Sequence, residues 1–524
     1  MADDQMPNGN EAPHWRFSIF ILVIGAFMAI LDTTIVNVAI PTLMSTFGVS
    51  TDQIQWVVTI YMLTLGVVVP ASGWLGEKLG YKALYMISLA IFVLGSSLSG
   101  LSWNLNAMIA FRVLQALGGG MIMPVTMTML FRIVPRKEIG MAMGIWGIAA
   151  MAAPAIGPTL GGYFVEYLNW RFIFYVNVPV GALGLALAYG QLPHIESPTP
   201  GAFDWPGFGA SAISLFSLLL GLSEGQSWGW HSEAVVLMLA ISVLAAAFFV
   251  YFELTTERPL LDIRLFVRYP QYLLTSLILV VVVVALFSGT FYIPLFLQTV
   301  RGLGAFDTGL ILTPAAVVTG LLMPVSGKIF DRFDRWGPVM TVLPGLLVLG
   351  YTTYLFHNLS TSTPTSTIVL WMMLRGVGMG LSMMPVSTAG MSWIPQSKVG
   401  QASAINNIIQ RVAGSFGIAV LTVVAQAAAA SRYNVLASQV TPLRGPITFL
   451  SQQMTALFVT TGLPAQPASA TGLGVLSGYL QALSFADSLD YIFVVTALIT
   501  LLGAVLAVWV RKAHNEHMEA VMLE

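Results

Sequence analysis

Asp32 is the only acidic residue that falls deep inside a long apolar stretch, fifteen residues beyond position 17. A charge near the centre of a bilayer costs at least about 2.5–3.5 kcal/mol, so it is kept for a partner or a purpose. Arg112, Arg375 and Arg411 also lie within apolar stretches. A buried acid among buried bases points to proton transfer linked to solute movement, with Asp32 as carrier and Arg112 as its partner or competitor. A static ion pair is the alternative. Arg375 and Arg411 would hold an outer gate or brace helices. All six histidines fall in loops or near chain ends, and there is no cysteine. A histidine relay, a thiolate metal site and a cysteine nucleophile are therefore not expected. There is no H-E-x-x-H motif, and the run from Gly320 to Gly327-Lys328 lacks P-loop spacing. No cofactor or metal is expected, and the proton gradient would be the energy source.

The elements that position these residues follow from composition. Of 524 residues, 56% are apolar and 9% charged, against a usual charged share of roughly 25%. That excludes a soluble globular domain and a disordered chain. A net charge of -1 excludes a basic nucleic-acid binder. A span needs about 20 mostly apolar residues. This window predicts fourteen helices: 17–40, 54–75, 83–102, 106–130, 139–164, 171–190, 206–222, 234–254, 272–297, 306–327, 338–357, 367–392, 401–430 and 488–510. Alternating the loops from an inner N-terminus places fifteen Lys and Arg inside and four outside. This bias predicts an inner-membrane protein with both termini cytoplasmic.

The chain repeats. VPRKEIG at 134–140 matches IPQSKVG at 394–400, and GWLGEKLG at 73–80 is echoed by GKIFDRFD at 327–334. Arg112 and Arg375 are each followed by a glycine-rich run and a proline. The expected organisation is a cytoplasmic N-terminus (1–16), a six-helix half (17–190), a linker with two extra helices (191–270), a second six-helix half (271–511) and a cytoplasmic C-terminus (512–524). The second half would carry a long outer loop at 431–487. Parallel repeats of six helices are a transporter architecture, with the solute site at their interface.

Gly73, Glu77, Lys78, Gly80 and Lys82, with Asp331 and Arg332 in the echo, could form an ion-pair latch that opens as the halves rock. Pro154 and Pro158 would kink the fifth span, and Gly157, Gly161 and Gly162 would let it approach a neighbour closely. The methionine clusters at 121–129 and 372–391 read first as core filling, though methionine also suits promiscuous binding surfaces. Candidates for a solute cavity are Asn37, Gln115, Trp146, Met151, Met379, Met383, Asn407, Gln410 and Arg411.

LDTTIVNVAIP (31–41), GWLGEKLGYK (73–82), FRVLQALGGG (111–120), APAIGPTLGG (153–162) and WRFIFYVNVPVG (170–181) occur in order. Together they resemble the motifs of the major facilitator superfamily, in its fourteen-helix drug:proton antiporter branch. Glu77, Tyr81 and Ala116 depart from its usual residues. The resemblance spans about residues 15–510. It implies an all-α membrane protein with the major facilitator fold, in which Asp32 is the protonatable residue and Arg112 is linked to proton transfer. It also implies that 153–162 is the antiporter motif that separates exporters from symporters. The expected function is proton-coupled multidrug efflux of lipophilic, often cationic or neutral, compounds. Partners would be drug-like molecules, protons and the bilayer, with a periplasmic adaptor and outer-membrane channel if the source has two membranes. An exporter of one metabolite is the alternative, and a channel or intramembrane enzyme a remote one.

Overall fold

The computed structural model describes residues 14–195, 201–257, 259–333, 335–439, 453 and 465–513. Among these there is no β-strand, and fourteen helices are long and apolar enough to cross a membrane. They are α1 (Trp15–Phe47), α2 (Asp52–Leu79), α3 (Tyr81–Leu101), α4 (Leu105–Ile133), α5 (Arg136–Tyr167), α6 (Phe172–Gln191), α7 (Trp205–Trp228), α8 (Glu233–Thr255), α9 (Pro270–Thr299), α10 (Phe306–Arg332), α11 (Gly337–Asn358), α12 (Thr365–Met391), α13 (Gln396–Val435) and α14 (Leu480–Ala507).

Capping residues set several of these starts. Ser50 and Gln53 form a capping box at the head of α2. The Asn104 carboxamide accepts from Ala107 N at 2.8 Å, and Asp204 accepts from Gly207 N at 2.8 Å. Gly80 joins α2 to α3 at φ +82°, a conformation a side chain would strain.

The halves repeat their packing. α1–α5, α2–α4, α3–α4 and α3–α6 in the first half correspond to α9–α13, α10–α12, α11–α12 and α11–α14 in the second. Gly118 and Gly378, 260 residues apart, show why. A Cβ on Gly118 would fall 2.3 Å from Ser88 O of α3, and one on Gly378 would fall 2.6 Å from Leu349 N of α11. Only a missing side chain allows backbones to cross this closely.

The halves meet along two seams that repeat symmetry would make alike. α5 and α10 touch along their length, from Gly140 against Gly327 to Gly309 near Thr159. The partner seam, α2 against α13, closes only near Gly73 and Gly400. Farther along it, α7 packs against both α2 and α13. Arg16 and Lys512 lie at the closed end: Arg16 pairs with Glu138 at 3.8 Å, and Lys512 N donates to Arg335 O at 3.4 Å.

Three expectations change. Hydropathy ends the seventh span at 222, yet α7 continues to Trp228. Glu224 is accommodated inside it, because Thr59 Oγ1 and Ser227 Oγ donate to its carboxylate at 3.4 and 2.8 Å. The segment expected as a loop at 431–487 is helical at both ends. The helix of α13 continues to Gln439, and the helix of α14 already begins at Ala465. Residues 440–452 and 454–464 lie outside the described residues. Finally, Gly162 is not part of the α1–α5 crossing, since nothing lies within 4 Å of its Cβ position.

Candidate transport site

Asp32 lies halfway along α1 and is fully buried. Arg112 of α4 donates from Nη1 to Asp32 Oδ2 at 2.5 Å. Gln115, one turn on, donates from Nε2 to Asp32 Oδ1 at 2.8 Å and accepts from Arg112 Nη1 at 2.7 Å. Asn177 of α6 donates to Asp32 Oδ1 at 3.4 Å and to Ser96 Oγ at 3.0 Å. Ser96 in turn donates to Phe174 O at 2.9 Å. Arg112 also donates from Nε to Val57 O at 3.2 Å and lies 3.8 Å over the Tyr61 ring. Five helices therefore hold one carboxylate and one guanidinium, and both carboxylate oxygens accept hydrogen bonds. Breaking such a buried pair by removing one partner costs about 3–5 kcal/mol, because the other charge stays desolvated.

This network stands behind the wall of a cavity of about 580 Å³. That volume falls in the range of about 300–1,000 Å³ typical of small-molecule sites. The cavity lies between α1, α2, α4, α7, α9 and α13, where the second seam has parted. Thr33, next to Asp32, and Met62, next to Tyr61, line it. So does Gly119, whose Cβ position is 3.1 Å from Tyr61 Oη. The rest of the wall is largely apolar, with Phe287, Phe291, Met123 and Leu219 prominent.

Of the sequence candidates, Arg411 lines this cavity and Gln115 belongs to the Asp32 network. Trp146, Met379 and Met383 are buried in the core, with Met151 packed against it. Asn407 donates to Ser403 O of its own helix at 2.9 Å, and Asn37 donates to Thr33 O on an exposed face. Gln410 is half-buried beside Arg411 but is not in the wall. Arg375 braces its half by donating to Ala285 O and Leu286 O, with its guanidinium over Gly289.

At the closed end, Asp331 accepts from Gly140 N at 3.0 Å and Met141 N at 2.9 Å, in the first turn of the helix that forms most of α5. A carboxylate at a helix N-terminus meets free N–H groups and the positive end of the helix dipole. Arg132 Nη2 donates to Gln396 O, and Gln396 Nε2 donates to Phe131 O, both at 3.3 Å. Gly73 packs against the backbone of Gly400 and Gln401. Glu77 faces Arg132 and Lys398. Lys78 lies over the Trp74 ring at 4.6 Å. Lys82 donates to Tyr189 O at 2.8 Å and Leu192 O at 2.7 Å, so it anchors within its own half. Arg332 is exposed. The expected ion-pair latch is thus mainly a carboxylate-to-backbone clasp. In α5, which runs as a continuous helix through Pro154 and Pro158, Gly157 meets Thr34 and Ile35, and Gly161 meets Ile35 and Val38.

Sequence reasoning missed Asn177, Ser96, Tyr61 and the Thr59–Glu224 contact. Asn177 left a signal: it is the one amide in the apolar run FIFYVNVPVG. The hydroxyls left none, because Ser and Thr in membrane helices usually bond their own backbone.

The sequence model of the Major Facilitator Superfamily matches residues 22–418. The multidrug resistance protein B homolog of Mycobacterium tuberculosis (strain ATCC 25618 / H37Rv) is 33% identical over 407 residues, 77% of this chain and 75% of that one. The tetracenomycin C resistance and export protein of Streptomyces glaucescens is 29% identical over 507 residues, 95% of this chain and 92% of that one. Among solved structures, the proton:xylose symporter XylE superposes with a TM-score of 0.56 at 15% identity, covering 93% of this chain and 95% of its own. At that identity it speaks for the fold alone.

Proposed function

The chain belongs to the Major Facilitator Superfamily, and we propose that it exports lipophilic drug-like compounds in exchange for protons, by alternating access. It is an integral membrane transporter rather than an enzyme. The observation that carries the proposal is the placement of the Asp32–Arg112 pair behind the cavity wall, with Arg112 over the Tyr61 ring and Tyr61 against Gly119 of the wall. A proton on Asp32 removes the charge that Arg112 pairs with and requires at least one donor to turn away. Arg112 then keeps Val57 O, Gln115 and the Tyr61 ring. The network therefore has two arrangements, one for each protonation state, and the cavity wall moves with it. The names of the two relatives, one for multidrug resistance and one for resistance and export, support efflux. Two further features support the rest of the reading. The clustered positive charges support termini on the cytoplasmic side of the inner membrane, and the single closed end supports alternating access.

The test is transport into proteoliposomes. Inside-acidic vesicles should accumulate a lipophilic fluorescent drug, and the uptake should collapse when the pH gradient is dissipated. Counterflow of labelled against unlabelled drug should persist without a gradient, as a carrier requires and a channel does not allow. Gradient-independent flux without counterflow would refute the proposal.

A further inference from the structure

Arg411 is left over by this mechanism. It lies in the wall of the cavity, and its enclosed Nε has no partner. Among the described residues its guanidinium makes no hydrogen bond or ion pair, whereas Arg112 pairs with Asp32 and Arg375 reaches carbonyl oxygens. Asp32 and Glu224, whose sequence neighbours Thr33 and Ser223 line the cavity, are engaged elsewhere. Asp32 is held by Arg112, Gln115 and Asn177, and Glu224 by Thr59 and Ser227. No other described residue in the wall carries a charge. An unpaired cation in such surroundings is costly unless something supplies acceptors, and the surrounding surface is apolar and aromatic.

We propose that the cavity takes an apolar solute bearing an oxygen acceptor group (a carboxylate, enolate or amide carbonyl) that receives the Arg411 donors, and that it discriminates against permanent cations. The apolar body would lie against Phe287, Phe291, Met62 and Met123. The guanidinium fork suits a planar acceptor with two oxygens. This deepens the efflux reading by naming the solute class of the same site, and it narrows the sequence-based expectation of cationic or neutral compounds.

The test uses one apolar body with three head groups: pyrenebutyrate, pyrenebutyramide and pyrenebutyl-trimethylammonium. Their binding to the full chain in phosphatidylcholine nanodiscs is read by fluorescence against protein-free discs. The wild type should bind the butyrate about tenfold or more tighter than the ammonium, with the amide between, since hydrogen bonds to a charged group contribute about 1.5–3 kcal/mol. Arg411→Gln should abolish that preference and Arg411→Lys should retain most of it, which separates lost charge from lost packing. A wild type that binds the ammonium as tightly as the butyrate would overturn the proposal. So would a preference that survives in Arg411→Gln. Arg411-dependent binding without gradient-driven transport of any of the three would contradict the efflux reading while leaving this one standing.

Discussion

The clasp at the closed end sets a measurable conformational balance. Asp331 accepts from Gly140 N and Met141 N across the seam between the halves. Those bonds exist only while that end is shut, so their loss acts on the equilibrium between closed and open forms. Asp331→Asn keeps the size and one acceptor oxygen but removes the charge. A charge-assisted hydrogen bond contributes about 1.5–3 kcal/mol, and a charge at a helix N-terminus about 0.3–1 kcal/mol. Asn retains part of the first and little of the second. The net loss is about 2 kcal/mol, roughly a thirtyfold shift towards the open form. The chain has no cysteine, so spin labels can be placed at will. Lys137 and Phe333 are exposed and lie on opposite halves. Labels at these two positions in the Asp331→Asn chain should report a longer, more populated distance by double electron–electron resonance. Lys82→Gln should not, because Lys82 bonds only within its own half. An unchanged distance distribution in Asp331→Asn would refute the clasp, as would an equal change in Lys82→Gln.

Other outcomes follow from the same geometry. Gly157→Ala should lower thermal stability in detergent by about 1–3 kcal/mol from overpacking, since its Cβ would meet Thr34 Oγ1 at 2.2 Å. Gly162→Ala, with open space around it, should be neutral or slightly stabilising. Arg375→Gln should reduce the melting temperature while leaving the pH dependence of transport unchanged, because Arg375 braces carbonyls and, among the described residues, pairs with no acid. Asn177→Ala removes a donor to Asp32 and Ser96. It should displace the pH profile of transport with a smaller effect on folding, and an unmoved profile would place Asn177 outside the coupling network.

Much of this was legible in sequence because the membrane simplifies the reading. A hydropathy window finds helices that lipid must cover, and the 260-residue offset found the halves whose crossings at Gly118 and Gly378 prove equivalent. The window failed where helices outlast the apolar region. The stretch AAAASRYNVLASQ at the end of α13 is helical by propensity although too polar for lipid. Asp32 and Arg112 were recognisable by type and depth, but their direct bond depends on how α1 and α4 are turned. The solute cavity was the least legible. Its wall depends on the parting of α2 from α13, and the conspicuous methionines Met379 and Met383 face a helix interface instead. Arg411 was visible as a charge out of place. Its lack of a partner was not.

The most direct test of proton coupling compares the wild type with Asp32→Asn in proteoliposomes under an imposed pH gradient, with counterflow measured on the same vesicles. The account predicts that the wild type concentrates the drug when the lumen is acidic. It predicts that Asp32→Asn loses gradient-driven uptake yet retains counterflow, because the amide is a near-isostere of the protonated carboxyl but has no proton to exchange, and Arg112 keeps its bonds to Val57 O and Gln115. Equal gradient-driven uptake by both proteins would contradict it and leave the Asp32–Arg112 pair a structural brace.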